Sequence, residues 1–228
     1  MIPKIIHHVW PGDDPFREKF HAWRESWMRL HPDWTFYFWR TSNLPENINS
    51  LARQILLDPS YSITPKSDVL RFEVLRIYGG IYVDTDMECL RPFDNFLNLD
   101  MFTGFEDDYR RVCPSLIGCV PEHHLLTEMS KVSISRAIKY GAEVSNERPH
   151  VITSVKPFTK IMQKYFNDED FAQRKVEDKT VKIFSKDYFY PVYFNEKHLL
   201  SADAPYAYAK HHWTGNDEEG WTKSPKFA

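Results

Sequence analysis

Cysteine is scarce in this chain. The three residues Cys89, Cys113 and Cys119 contain no C-x-x-C pair, which argues against a disulfide framework and a cysteine-built zinc site and fits a reduced compartment. No stretch approaches the ~18 consecutive apolar residues of a membrane span. The run from Met1 to Trp10 is too short, and too interrupted by His7 and His8, for a signal-peptide core. No Asn-x-Ser/Thr acceptor occurs. The expectation is a cytoplasmic protein whose association with a membrane would be peripheral. A dominant charge is lacking too: 29 Lys+Arg stand against 32 Asp+Glu, for a net charge of −3, with no like-charge block or basic tail. A nonspecific nucleic-acid binder is normally more basic. No internal repeat or low-complexity linker interrupts the 228 residues, and 42% hydrophobic with 27% charged residues is ordinary globular usage. One domain spanning 1–228 is expected.

Lys4 to Trp10 reads as a strand opening onto the turn signal Pro11-Gly12-Asp13-Asp14-Pro15. Phe16, Phe20, Trp23, Trp27 and Leu30 then fall on one helical face until His31-Pro32 stops it. The aromatic run Trp34 to Trp39 predicts a buried strand, and Ile48 to Leu56 a helix. A third helix is predicted from Pro65 to Tyr78, with Gly79 at its C-terminal turn. Gly80 to Val83 follows as a strand that Met87 to Leu90 would extend. Further strands are predicted at 101–105 and 115–120, helices at 122–140 and 155–166, and strand-like segments at 188–194 and 206–209. Alternating strand and helix in the first half indicates an α/β sheet with parallel strands.

The sharpest chemical feature is Tyr82-Val83-Asp84-Thr85-Asp86. On extended backbone the two carboxylates, at i and i+2, would share a face. Two hard oxygen ligands at a strand's carboxyl end suit Mg²⁺ or Mn²⁺ bridging to phosphate, and that edge is where open α/β sheets bind ligands. The alternative is a solvated turn. On the preceding helix Ser67, Asp68 and Arg71 share a polar face. Arg71 would neutralise phosphate and Asp68 would accept from sugar hydroxyls; the alternative is a surface ion pair of no functional consequence. His211 and His212 stand before a polar loop, either as metal ligands or simply exposed, while His7 and His8 are assigned a structural role. Trp10 at the first strand's end would offer an indole to a base, with core packing as the alternative.

In this order the pieces resemble glycosyltransferase family 32, the DXD-containing group of fungal outer-chain mannosyltransferases and bacterial capsule enzymes, and more distantly the glucosylating clostridial toxins. The matching residues are Ile2 to Trp10, His31-Pro32-Asp33-Trp34 with Trp39, Ser67 to Arg71, Tyr78 to Asp86, and Tyr206 to Trp213. The resemblance implies a GT-A (Rossmann-like) α/β fold with a mixed, mainly parallel sheet flanked by helices. It implies a nucleotide-sugar-binding half of about 1–106 and an acceptor-side half with a C-terminal cap of about 107–228. Val9 and Trp10 would contact the base, and Ser67, Asp68, Arg71, Tyr82 and Asp84 the nucleotide sugar. Asp84, Asp86 and His211 would hold Mn²⁺ or Mg²⁺, with Asp68, Arg71 and Asp86 carrying the catalytic role. The implied reaction is retaining transfer of a hexose from a UDP- or GDP-sugar to a saccharide or glycan acceptor, as in polysaccharide biosynthesis.

Two positions depart from the pattern: Lys156-Pro157 stands where the family has Gly-Pro, and Trp221 follows Gly220 where it has Ser-Trp. No residue declares itself a nucleophile. Glu106, Asp107 and Asp108 are read as surface charge, with a role in orienting the acceptor as the alternative. Two rival functions are a noncatalytic nucleotide-sugar-binding module and a phosphatase of haloacid-dehalogenase type. The latter would need Thr or Val where this chain has Glu88.

Overall fold

The β-branched run near the N-terminus forms the strand expected of it, β1 (Ile5–Val9), which sits in the interior of a six-stranded sheet. The structure, a computed structural model, describes residues 1–12, 15–108, 111–141, 152–172 and 180–214. The sheet continues through β2 (Thr35–Trp39), β3 (Gly80–Val83), β5 (Met101–Phe105), β6 (Val112–Cys119) and β7 (Val181–Phe184), in the order β2-β1-β3-β6-β5-β7. β2, β1 and β3 run parallel, as do β5 and β7, while β6 is antiparallel to both its neighbours. The sheet is therefore mixed and mainly parallel.

Period-two alternation sends successive side chains to opposite layers. Tyr82 of β3 packs with helices α2 (Ser50–Leu57), α3 (Ile63–Tyr78), α4 (His124–Tyr140) and α5 (Val155–Phe166) on one face. Ile81 and Val83 face the other layer, where Trp27 of α1 (Glu18–Leu30) meets Phe93, Phe96, Phe102 and Phe189. Short helices α6 (Asp168–Ala172) and α7 (Lys186–Phe189) complete the α-helices among the described residues. α3 begins at Ile63, two residues before the Pro65 start that the sequence suggests.

Three expectations are corrected. The aromatic strand β2 is the sheet's edge, not its interior: Thr35 and Tyr37 are exposed while Trp39 is buried. Met87 to Leu90 does not extend β3. The chain turns at Asp84-Thr85-Asp86, and β4 (Met87–Cys89) pairs antiparallel with β8 (Ala209–His211) in a separate small sheet. The aromatic run 188–194 is not a strand, and 206–209 becomes strand only from Ala209. Phe189 and Tyr190 instead close over Gly104 of β5, where a Cβ would meet the Phe189 ring at 2.8 Å. Large rings that fill a core gap gain more from that burial than from extended pairing.

The chain reverses from α3 into β3 at Gly79, whose φ of +62° disfavours a side chain and whose Cβ would lie 2.6 Å from the Pro121 nitrogen. This tight exit sets β3 directly beneath the helix that carries Asp68 and Arg71.

Candidate active site

Asp84 and Asp86 converge through a turn and not through an extended strand. Met87 N donates to the Asp84 carbonyl at 3.1 Å, and Asp84 N is held by the Ser115 carbonyl at 2.8 Å. β4 is pinned on its other side by α1, where Trp27 Nε1 donates to the Met87 carbonyl at 2.8 Å and Cys89 N donates to Ser26 Oγ at 2.8 Å. Register with β8 sets His211 opposite Met87, and His212 N donates to the Asp86 carbonyl at 2.9 Å. The small sheet thus carries a residue from the far end of the sequence to the D-x-D turn.

The result is a cluster of Asp84, Asp86 and His211 with one ligand atom from each lying within 4.8 Å of the others. His211 Nε2 is 3.0 Å from Asp86 Oδ1, and Asp86 Oδ2 accepts from Thr214 N at 2.9 Å and Thr214 Oγ1 at 3.0 Å. Burial by itself would raise the Asp86 pKa. The His211 charge and these donors outweigh it and hold the carboxyl well below the usual range. For His211, burial lowers the pKa but Asp86 prevails, leaving the imidazole raised. Two carboxylates and an imidazole whose Nδ1 is buried without a hydrogen-bond partner among the described residues fit a hard divalent cation. His212 is not part of this set: its Nε2 is 3.0 Å from Glu88 Oε2 and its ring stacks on Trp23 at 4.2 Å.

Arg71 adjoins the cluster from α3. Its Nη2 is 3.2 Å from Asp68 Oδ1 and 3.3 Å from Asp84 Oδ1, its Nη1 donates to the Pro114 carbonyl at 3.0 Å, and its guanidinium lies 4.8 Å over the Tyr82 ring. Tyr82 Oη donates to Asp84 Oδ1. The Asp68–Arg71 pair is therefore buried, with both side chains under a tenth exposed, and is not a surface i,i+3 pair. Thr153 Oγ1 donates to Asp68 Oδ2 from just before α5, a partner that no local sequence pattern announces. Ser67 is half-buried one residue earlier on α3.

Other sequence candidates lie as follows. Val9 is buried in the helical layer and Trp10 is 2% exposed, packed edge-on against Phe16 and Phe20. The reading of Glu106 and Asp107 as surface charge is corrected: both are buried against Arg111, at 3.1 and 2.6 Å. Burial raises the Glu106 pKa although Arg111 opposes it. Asp108 is exposed and pairs with Lys186 at 2.8 Å. His7 and His8 are buried, as their structural role requires, with His7 between the Gly79 carbonyl at 2.8 Å and Trp39 Nε1 at 2.9 Å. Trp221 lies outside the described residues, and Lys156-Pro157 opens α5.

Residues 17–103 match the family described as glycosyltransferase sugar-binding region containing DXD motif. The fold is shared with PaToxG glycosyltransferase, with a TM-score of 0.59 at 16% identity over 77% of this chain and 74% of that one. Residues 17–103 thus carry the sequence pattern of that DXD region, on a GT-A type of fold shared with a solved glycosyltransferase. Among its relatives, mannosyl phosphorylinositol ceramide synthase CSH1 of Saccharomyces cerevisiae is 31% identical over 58% of this chain and 35% of its own length. Inositol phosphoceramide mannosyltransferase 3 of Schizosaccharomyces pombe is 34% identical over 50% of this chain and 31% of its own length. The chain spans about a third of the length of these two relatives. No helix among the described residues is long and apolar enough to cross a membrane.

Proposed function

We propose that this chain is a metal-dependent retaining glycosyltransferase that moves a hexose from a nucleoside-diphosphate sugar to a glycan or other hydroxyl-bearing acceptor. The observation that carries the reading is the meeting of Asp84, Asp86 and His211, drawn from two distant parts of the chain, beside the buried Arg71.

Asp84, Asp86 and His211 would hold Mn²⁺ or Mg²⁺, which would supply Lewis-acid stabilisation for a departing diphosphate. The remaining work falls to the protein. Arg71 is charged, buried and fixed by Asp68, Asp84 and the Pro114 carbonyl, so it presents positive charge without reorganising as charge grows on the leaving group. Asp68, itself oriented by Thr153, keeps that guanidinium in place and offers acceptor oxygens to sugar hydroxyls. Tyr82 orients Asp84 through its hydroxyl. Val9 and Trp10, at the carboxyl end of β1, belong to the nucleotide side of this reading, with Ser67 beside the donor sugar. The donor half is about 1–106 and the acceptor half about 107–228. Glu106, buried against Arg111, is assigned in this reading to orienting an acceptor hydroxyl.

Both fungal relatives are named for mannosyl transfer. A nucleotide-activated mannose is therefore the first donor to test, within a panel of UDP- and GDP-hexoses. Mn²⁺-dependent nucleotide release from one donor, lost in Asp86→Asn, supports the reading. Donor binding without turnover, with acceptors supplied, would favour the noncatalytic module, and absence of any binding would overturn the donor-site assignment.

A further inference from the structure

The chain is slightly acidic overall, at −3, yet one face is basic. α4 carries Lys131, Arg136 and Lys139, and α5 carries Lys156, Lys160 and Lys164, while Glu128 is the one carboxylate in the two helices. The helices pack antiparallel: Lys164 Nζ lies 3.8 Å from Glu128 Oε1, and at the other end Arg136 donates to the Ile152 carbonyl just before α5. Between them runs a cleft of about 270 Å³ floored by Val132, Pro157 and Ile161.

The three α5 lysines are exposed and spaced i, i+4, i+8, so they form one stripe about 12 Å long. The Lys164–Glu128 pair, at 80% and 46% side-chain exposure, does little to neutralise it. The stripe begins three residues after the buried Thr153, which bonds Asp68.

We propose that this cleft docks the protein on an anionic phospholipid bilayer, with a lipid phosphate seated among Arg136, Lys156, Lys160 and Lys164. A basic rim over an apolar floor is complementary to a phosphate headgroup joined to glycerol and the start of acyl chains, whereas a free anion would leave Val132 and Ile161 unmatched. Each basic side chain near such a surface is worth roughly a fivefold gain in binding, and the attraction is screened by salt. The inference rests on the α4–α5 surface and does not depend on which sugar is transferred.

The test is sedimentation of the full chain with phosphatidylcholine vesicles, with and without phosphatidylserine. Binding is expected only with phosphatidylserine, weakening as salt rises. It should fall at least about twentyfold in Lys160→Glu/Lys164→Glu, from the per-lysine effect, with thermal unfolding and donor hydrolysis unchanged. Lys160→Arg/Lys164→Arg should restore it. Failure of the wild type to bind phosphatidylserine vesicles overturns the proposal, as does binding that survives the Glu pair in a folded variant. Displacement by inorganic phosphate at equal phosphate concentration would also overturn it, by showing a small-anion pocket.

Discussion

The Arg71 guanidinium lies 3.3 Å from the Asp84 carboxylate, although one residue belongs to a helix and the other to the turn after a strand. That contact ties the charge on α3 to the D-x-D turn, and Asp68 shares the same guanidinium at 3.2 Å. Arg71→Met leaves two carboxylates in the site without their cation. Removing one partner of a buried ion pair costs about 3 to 5 kcal/mol. At roughly 2 to 4 °C per kcal/mol for a chain of this size, Tm should drop by about 10 °C. Arg71→Lys should retain more stability but lose the forked contacts to Pro114, Asp68 and Asp84, with nucleotide release reduced more than donor binding. Thermal unfolding and a donor titration check both.

Asp86→Asn keeps the shape of the side chain but removes its charge. The variant should bind Mn²⁺ at least about 100-fold more weakly, more than loss of an outer-shell partner typically costs, and show no metal-dependent nucleotide release. Isothermal titration with Mn²⁺ alone reads the first effect. His211→Ala should weaken Mn²⁺ binding in the same direction, while His212→Ala, which removes a partner of Glu88 and Trp23, should leave it near the wild-type value.

At the proposed metal site a proton and the cation would compete for His211. Because Asp86 raises the imidazole above its ordinary pKa despite burial, the protonated form persists to higher pH than in a free histidine. Mn²⁺ affinity should therefore rise as pH increases from about 6 to 8. In His211→Ala that pH dependence should flatten. An equally steep dependence in the variant would show that another group controls it.

Below neutral pH the buried His7 and His8 act on stability, with the buried His31, also shifted down, acting in the same direction. Burial pushes His7 down to about 4 and His8 to about 3, from an ordinary value near 6.5. The unfolded chain takes up protons below pH 6.5 that the folded one refuses, so stability is fully present above that pH and declines as pH falls toward 4. Each histidine accounts for about 1.4 kcal/mol per pH unit in that window. Urea unfolding between pH 6.5 and 5 should show this slope, and His7→Gln should reduce it by about one proton. His211, whose pKa is raised, acts in the window above 6.5 and in the opposite sense. Asp86, whose pKa is lowered, acts only as pH falls below about 4.

Much of residues 1–106 was legible because its signals are local. The β-branched run before Pro11, the helical spacing of Phe20 and Trp27, and the Ser67 to Asp86 segment each specify an element and a chemical face within a few residues. Burial was less legible. Glu106 and Asp107 look like surface charge because nothing nearby in sequence shows Arg111 folding back over them. The aromatic run 188–194 looks like strand because its composition is strand-like, yet the space above Gly104 claims Phe189 and Tyr190 for the core.

The sequence by itself determined the D-x-D pair, the Asp68–Arg71 helix face and the strand that leads to them, because hydrophobic period and short-range spacing are properties of neighbouring residues; that the pair sits in a turn was decided by the fold. Only the tertiary structure decided that β4 leaves the main sheet to pair with β8, that the His211 imidazole reaches the Asp86 carboxylate while that of His212 turns to Glu88, and that Thr153 closes on Asp68. These contacts join residues 85 or more apart along the chain. Which such partners meet is set by sheet register and layer packing over the whole molecule, and a local sequence pattern does not encode it.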